Sequence, residues 1–73
     1  MLPRGLKAEE AIRAFEKAGG ERRPGKGSHV NIKMPNGLLI TIPAHGEIKA
    51  GLLRSAIRKA GLSPQAFLRL VGR

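Results

Sequence analysis

The stretch from Val30 to Pro43 runs VNIKMPNGLLITIP, and its register decides the fold. Val30, Ile32 and Met34 alternate with Asn31 and Lys33, as in a strand with one buried face. Leu38, Ile40 and Ile42 alternate in the same way beyond Pro35-Asn36-Gly37. A two-residue Asn-Gly turn would pair Met34 with Leu39 and throw the two apolar rows onto opposite faces. A three-residue loop, Pro35-Asn36-Gly37, instead pairs Met34 with Leu38, Ile32 with Ile40 and Val30 with Ile42. That loop also suits its residues, with Pro at the second position of a type I turn and Gly at the left-handed bulge position. The expected register therefore gathers His29, Asn31, Lys33 and Thr41 on the face away from the apolar row, because side chains alternate across a strand.

Working outward, His29 enters the first of these strands from a glycine-rich turn, Lys26-Gly27-Ser28. Residues 21–26, ERRPGK, are polar and rich in turn formers. A short edge strand over 21–23 is compatible with them, limited by Pro24. Before that, Ala8, Ala11, Ile12, Phe15 and Ala18 recur at helical spacing and predict a helix over about 6–18, stopped by Gly19-Gly20. Downstream, Pro43 ends the second strand and Ala44-His45-Gly46 forms a loop. A second helix is expected over about 48–60, with Leu53, Ala56, Ile57 and Ala60 facing inward and Arg54, Ser55, Arg58 and Lys59 on an outer arc. After Gly61, Ser63 suits the N-cap and Pro64 the first turn of a third helix, with Leu62 stapling onto Phe67. The expected order is α-β-β-β-α with an additional short C-terminal helix. This is an α+β arrangement over residues 1–73, one antiparallel sheet backed by helices on one face.

With 73 residues, the chain has room for one small core. It has no cysteine, which excludes disulfides and thiolate metal sites, and its two histidines cannot complete a structural zinc site. No metal and no cofactor are expected. No apolar run approaches the roughly 18–20 residues of a membrane span, and the first residues lack the apolar stretch of a secretory signal, so a cytoplasmic protein is expected. Charge is the strongest compositional signal: 14 basic residues oppose 5 acidic ones, a net of +9. Up to residue 21 the charges cancel, and beyond it Glu47 is the only acid, so the whole excess lies in the later part of the chain. Such a field attracts polyanions, of which nucleic acid is the commonest. An acidic protein partner would satisfy the same field.

The residues available for chemistry are few. There is no aspartate, cysteine or tyrosine. Glu9, Glu10 and Glu16 fall on a helix among basic residues, where they form a solvated face rather than a catalytic pair. Ser28 and His29 are neighbours in sequence, and neighbours in a strand point to opposite faces. GERRPGKG lacks the closing hydroxyl and the strand-loop-helix setting of a phosphate loop. What remains is histidine in a basic field. RNA can be cut without a metal, because its own 2′-hydroxyl attacks the phosphorus and the protein moves protons and steadies charge. An imidazole, with an ordinary pKa of about 6.5, suits that task near neutrality, and cations hold the phosphates. Lys26, Ser28, Lys33, Arg54 and Arg58 are the residues expected to bind RNA. The register sets His29 opposite Pro43, which brings His45 into reach as a secondary acid or base. A strand-start histidine with no catalytic role is the alternative that spacing alone leaves open.

Taken together, several stretches resemble one family. They are the helix ending in Ala18-Gly19, Lys26-Gly27-Ser28-His29 entering a strand, the Pro35-Asn36-Gly37 hairpin, Thr41-Ile42-Pro43-Ala44-His45, and Gly51-Leu52-Leu53-Arg54-Ser55-Ala56-Ile57-Arg58-Lys59-Ala60-Gly61-Leu62. The chain is similar over almost its whole length to HicA-type toxins, also called YcfA-like. The resemblance implies a fold like a double-stranded RNA-binding domain. It also implies a ribonuclease that cuts messenger RNA and halts translation, held inactive by a HicB-type antitoxin, with the histidine of Gly-Ser-His, here His29, as catalytic residue. A non-catalytic RNA-binding module of the same fold is the alternative. Three positions depart from the family pattern: Val30 stands where a second histidine is frequent, Gly20 where an aromatic is usual, and Glu21-Arg22-Arg23-Pro24 where the first strand is more apolar.

Overall fold

Residues 5–72 are described by a computed structural model. The elements are α1 (Ala8–Lys17), β1 (Glu21–Pro24), β2 (His29–Lys33), β3 (Leu39–Pro43), α2 (Ala50–Lys59) and α3 (Pro64–Val71). The strands form one antiparallel sheet in the order β1-β2-β3. This is the α+β architecture the sequence predicts, third helix included.

The hairpin has the expected register: Val30 opposite Ile42, Ile32 opposite Ile40, and His29 opposite Pro43. The Met34 N–H donates to the Leu38 carbonyl and the Gly37 N–H to the Met34 carbonyl, both at 2.9 Å, closing the three-residue loop. Gly37 has φ +86°, the left-handed conformation that glycine alone adopts without a steric cost. Asn36 then fastens the turn to the helix layer. Its amide Nδ2 donates to the Lys59 carbonyl at the end of α2, and its Oδ1 accepts from the Leu38 N–H, each at 2.9 Å.

Ile32, Ile40 and Ile42 face the helices and are buried with Met34, Ile12, Phe15, Leu53, Ile57 and Phe67. On the opposite face His29, Lys33, Leu39 and Thr41 are exposed, so the helices cover one side of the sheet only. The third helix belongs to this core: Phe67 packs on Phe15 of α1 with ring centroids 4.9 Å apart. Its start follows the sequence rule, with Ser63 Oγ accepting from the Ala66 N–H at 3.1 Å and Pro64 in the first turn. Leu62 packs against the same core.

Two helix starts differ from expectation. The first helix begins at Ala8 rather than near residue 6, and the second at Ala50 rather than near 48. Leu6 and Ile48 are both buried, but in extended chain, where Lys7 and Glu47 form an antiparallel bridge. The Ile48 N–H donates to the Leu6 carbonyl at 2.9 Å, and the Ala8 N–H to the Gly46 carbonyl at 2.8 Å. The bridge satisfies one of the amide groups that a helix N-terminus leaves unpaired. Glu10 serves another, accepting from the Lys7 N–H at 3.3 Å.

The first strand reaches Pro24, one residue beyond the expected limit, and all four of its side chains are exposed. Proline is tolerated there because β1 is an edge strand. Gly20, the position of the family's aromatic, has no room for a side chain: a Cβ would lie 2.6 Å from Ile32 Cγ2 and 2.8 Å from Met34 Sδ.

Candidate active site on the outer face of the sheet

His29 opens β2, exposed, on the solvent face of the sheet. Two features of the preceding turn place it. Its N–H donates to the Lys26 carbonyl at 3.2 Å, and Gly25 lies so close that an added Cβ would overlap the His29 carbonyl oxygen. On the other side of the strand pair, the Ala44 N–H donates to the Ser28 carbonyl at 2.6 Å, carrying the β2–β3 pairing one residue past His29 and Pro43.

Along the same face, Asn31 follows His29 and Lys33 follows Asn31. Across it the register sets Arg23 opposite Asn31 and Asn31 opposite Thr41. Thr41 Oγ1 donates to Asn31 Oδ1 at 2.8 Å, and Asn31 Nδ2 donates to the Pro24 carbonyl at 3.3 Å. One amide thus ties all three strands together beside His29. At the far end of β2, Lys33 and Arg23 line a depression of about 200 Å³ with Glu21, Gly19, Met34 and Pro35.

Apart from Glu21, which stands opposite Lys33, the acids lie away from this strand, on α1 and in the loop before α2. Arg22 donates to Glu16 at 3.2 Å and to Glu9 at 3.3 Å. These bonds, Glu16's foremost, hold the guanidinium pKa above its usual value against a smaller opposing effect of desolvation. Glu9 also pairs with Arg13 at 3.8 Å, and Glu21 with Arg23 at 3.4 Å. Lys26, Lys33, Arg54 and Arg58 form no ion pair among the described residues. The charge excess seen in the sequence therefore stays available on β2 and α2, while α1 and β1 neutralise one another.

The expected RNA-binding set is divided between two layers. Lys26, Ser28 and Lys33 accompany His29 on β2 and the turn before it, whereas Arg54 and Arg58 lie on the exposed arc of α2. His45 is exposed in the loop after β3, lining an open depression of about 430 Å³ with Lys7, Glu9, Ala44, Gly46 and Glu47. His29 is not part of that lining. Among the described residues no group of three or more His, Cys, Asp or Glu side chains is placed to hold a metal. No helix among them is long and apolar enough to cross a membrane.

Val30, where the family often has a second histidine, pairs with Ile42 and packs against the core. Position 30 therefore faces the helix layer and supplies nothing to the His29 face. Arg23 and the Asn31–Thr41 bond are members of that face that inspection of the sequence did not single out as a site. Arg23 falls within the edge strand expected over 21–23, but without its register against β2 the face it joins was not legible.

No curated protein matches the chain. The family model described as the HicA toxin of bacterial toxin-antitoxin systems matches residues 8–62, from the first residue of α1 to Leu62, two residues past the α2 C-cap Ala60. The matched span contains the whole sheet, His29 and the basic arc of α2, and leaves out only α3 among the elements. On that match the chain belongs to the HicA toxin family, and is the toxin component of a toxin-antitoxin pair.

Proposed function

We infer that the chain is a metal-independent endoribonuclease that cuts messenger RNA and thereby arrests translation, with His29 as its acid–base residue. The observation that carries this reading is the setting of His29. It is exposed at the start of β2, on a polar sheet face, with Lys26 and Lys33, neither ion-paired among the described residues, on either side of it in the chain. Phosphates laid along β2 would meet these cations while the imidazole faces the sugar-phosphate backbone. In the reaction the RNA 2′-oxygen bonds to phosphorus as its proton leaves to a base. The bond from phosphorus to the 5′-oxygen breaks, and that oxygen takes up a proton. A histidine serves either transfer. The products are a 2′,3′-cyclic phosphate and a free 5′-hydroxyl.

The antitoxin is proposed to be an acidic protein of the HicB type, complementary to this surface and covering His29. Incubating the purified chain with messenger RNA in excess chelator tests the activity. Fragments ending in cyclic phosphate support it, and intact RNA refutes it. A non-catalytic RNA-binding module is the second reading. One observation favours it: no side chain among the described residues hydrogen-bonds the His29 ring to orient it.

A further inference from the structure

The Asn31–Thr41 pair occupies the row of the sheet next to His29. His29 and Asn31 are two residues apart on one strand, as are Pro43 and Thr41 on its neighbour, so the two rows are separated by about 6–7 Å. Hydrogen-bond chemistry fixes how the pair is oriented. A carbonyl can only accept, so Asn31 must turn its NH2 toward Pro24 and its oxygen toward Thr41, as observed at 3.3 and 2.8 Å. The Thr41 proton is then committed to Asn31 Oδ1. Three capacities remain without partners among the described residues: the second amide proton of Asn31, the second lone pair of its Oδ1 and the acceptor lone pairs of Thr41 Oγ1. The exposed Thr41 hydroxyl and the half-buried amide thus present a fixed donor and a fixed acceptor side by side on the sheet surface.

A ribose 2′-hydroxyl is both a donor and an acceptor, and it is the group that separates RNA from DNA. We propose that Asn31 and Thr41 form a 2′-hydroxyl recognition site for a nucleotide next to the one at His29, the Asn31 amide donating to that hydroxyl and Thr41 Oγ1 accepting from it. Pro24 and Thr41 lock the amide, so no rotamer has to be ordered when RNA arrives. The inference rests on RNA as the ligand of this face, but not on cleavage.

The test is therefore a binding measurement in a His29→Ala background, where RNA survives. Fluorescence anisotropy compares a labelled single-stranded RNA with the 2′-deoxy oligomer of identical bases, deoxyuridine replacing uridine. The parent is expected to bind RNA about 30-fold more tightly, about fivefold for each of the two net hydrogen bonds. Thr41→Val keeps a β-branched residue that favours strands and should cut the preference about fivefold by weakening RNA binding alone. Thr41→Ser restores the hydroxyl and should restore the preference. If Thr41 only stitches strands together, Thr41→Val lowers the melting temperature and leaves the RNA-to-deoxy ratio unchanged, which overturns the proposal. Equal weakening of both oligomers overturns it as well. A wild-type chain that prefers RNA through Thr41 but never cuts it would sink the nuclease reading and leave this site standing. A chain that cuts RNA with a ratio indifferent to Thr41 would do the reverse.

Discussion

Replacing Lys26 and Lys33 together by glutamine removes two cations from the His29 face while leaving its polar character. Each single-stranded phosphate neutralised by a protein cation contributes about 0.7 to the slope of log affinity against log salt, through counterion release. Neither lysine is ion-paired among the described residues, so each is free to take a phosphate, and the double variant should flatten the slope by about 1.4. Between 50 and 200 mM salt that corresponds to an affinity loss about sevenfold smaller than the parent's. The structure also supplies a control. Arg22 is already held by Glu9 and Glu16 at 3.3 and 3.2 Å, so Arg22→Gln should leave the slope unchanged. Arg54→Gln with Arg58→Gln should flatten it for a long RNA that passes from the sheet to the α2 arc, and not for a short one confined to β2. The assay is anisotropy titration of single-stranded RNA at several salt concentrations in the His29→Ala background. An unchanged slope for the lysine pair, or an equal change on Arg22→Gln, would refute the assignment of this surface.

Three further outcomes follow from the fold and the family. Asn36→Ala removes the bonds to Lys59 and Leu38 and should cost about 1–2 kcal/mol in urea unfolding; a loss below a few tenths would mean that the turn is not anchored through this side chain. Phe67→Ala empties a fully buried site against Phe15 and should cost about 3–5 kcal/mol, a large part of the about 4–11 kcal/mol typical of a chain this long. A melting temperature near wild type would show that α3 is dispensable to the core. The antitoxin should be encoded by an adjacent reading frame as an acidic protein, should protect RNA from the chain, and should associate more slowly as salt rises. Salt-independent association would rule out steering by the basic face.

The parts of the fold that were legible in sequence are those with a local cause. Pro35-Asn36-Gly37 fixed the hairpin register because only a three-residue loop kept both apolar rows on one side, and that register put His29 on the solvent face. Ser63-Pro64 marked the start of α3 in the same local way. From sequence the two helices reach back to Leu6 and Ile48, because each of these residues stands two residues before the first helical residue with no Gly or Pro between. Their extended conformation comes from pairing with each other's segments, 40 residues apart in the chain, and non-local pairing leaves no signature in either stretch. The full length of β1 was hidden for a related reason. Glu21-Arg22-Arg23-Pro24 has no apolar alternation, and it is a strand through its pairing with β2 and the Arg22 bonds to α1. Of the candidate site, the placement of His29, Asn31, Lys33 and Thr41 was readable. The separation of Arg54 and Arg58 onto another layer was not, because periodicity says which helix residues are exposed but not which sheet face they accompany.

Cleavage of one messenger RNA by wild-type protein and by His29→Ala, side by side in excess chelator, tests the central claim most directly. General acid–base catalysis contributes about 10²–10⁴ in rate. The wild type should cut, and the alanine variant, with an unchanged far-ultraviolet circular dichroism spectrum, should be at least about a hundredfold slower. Equal rates would remove His29 from the mechanism, and a wild type that binds the RNA without cutting it would contradict the nuclease reading altogether.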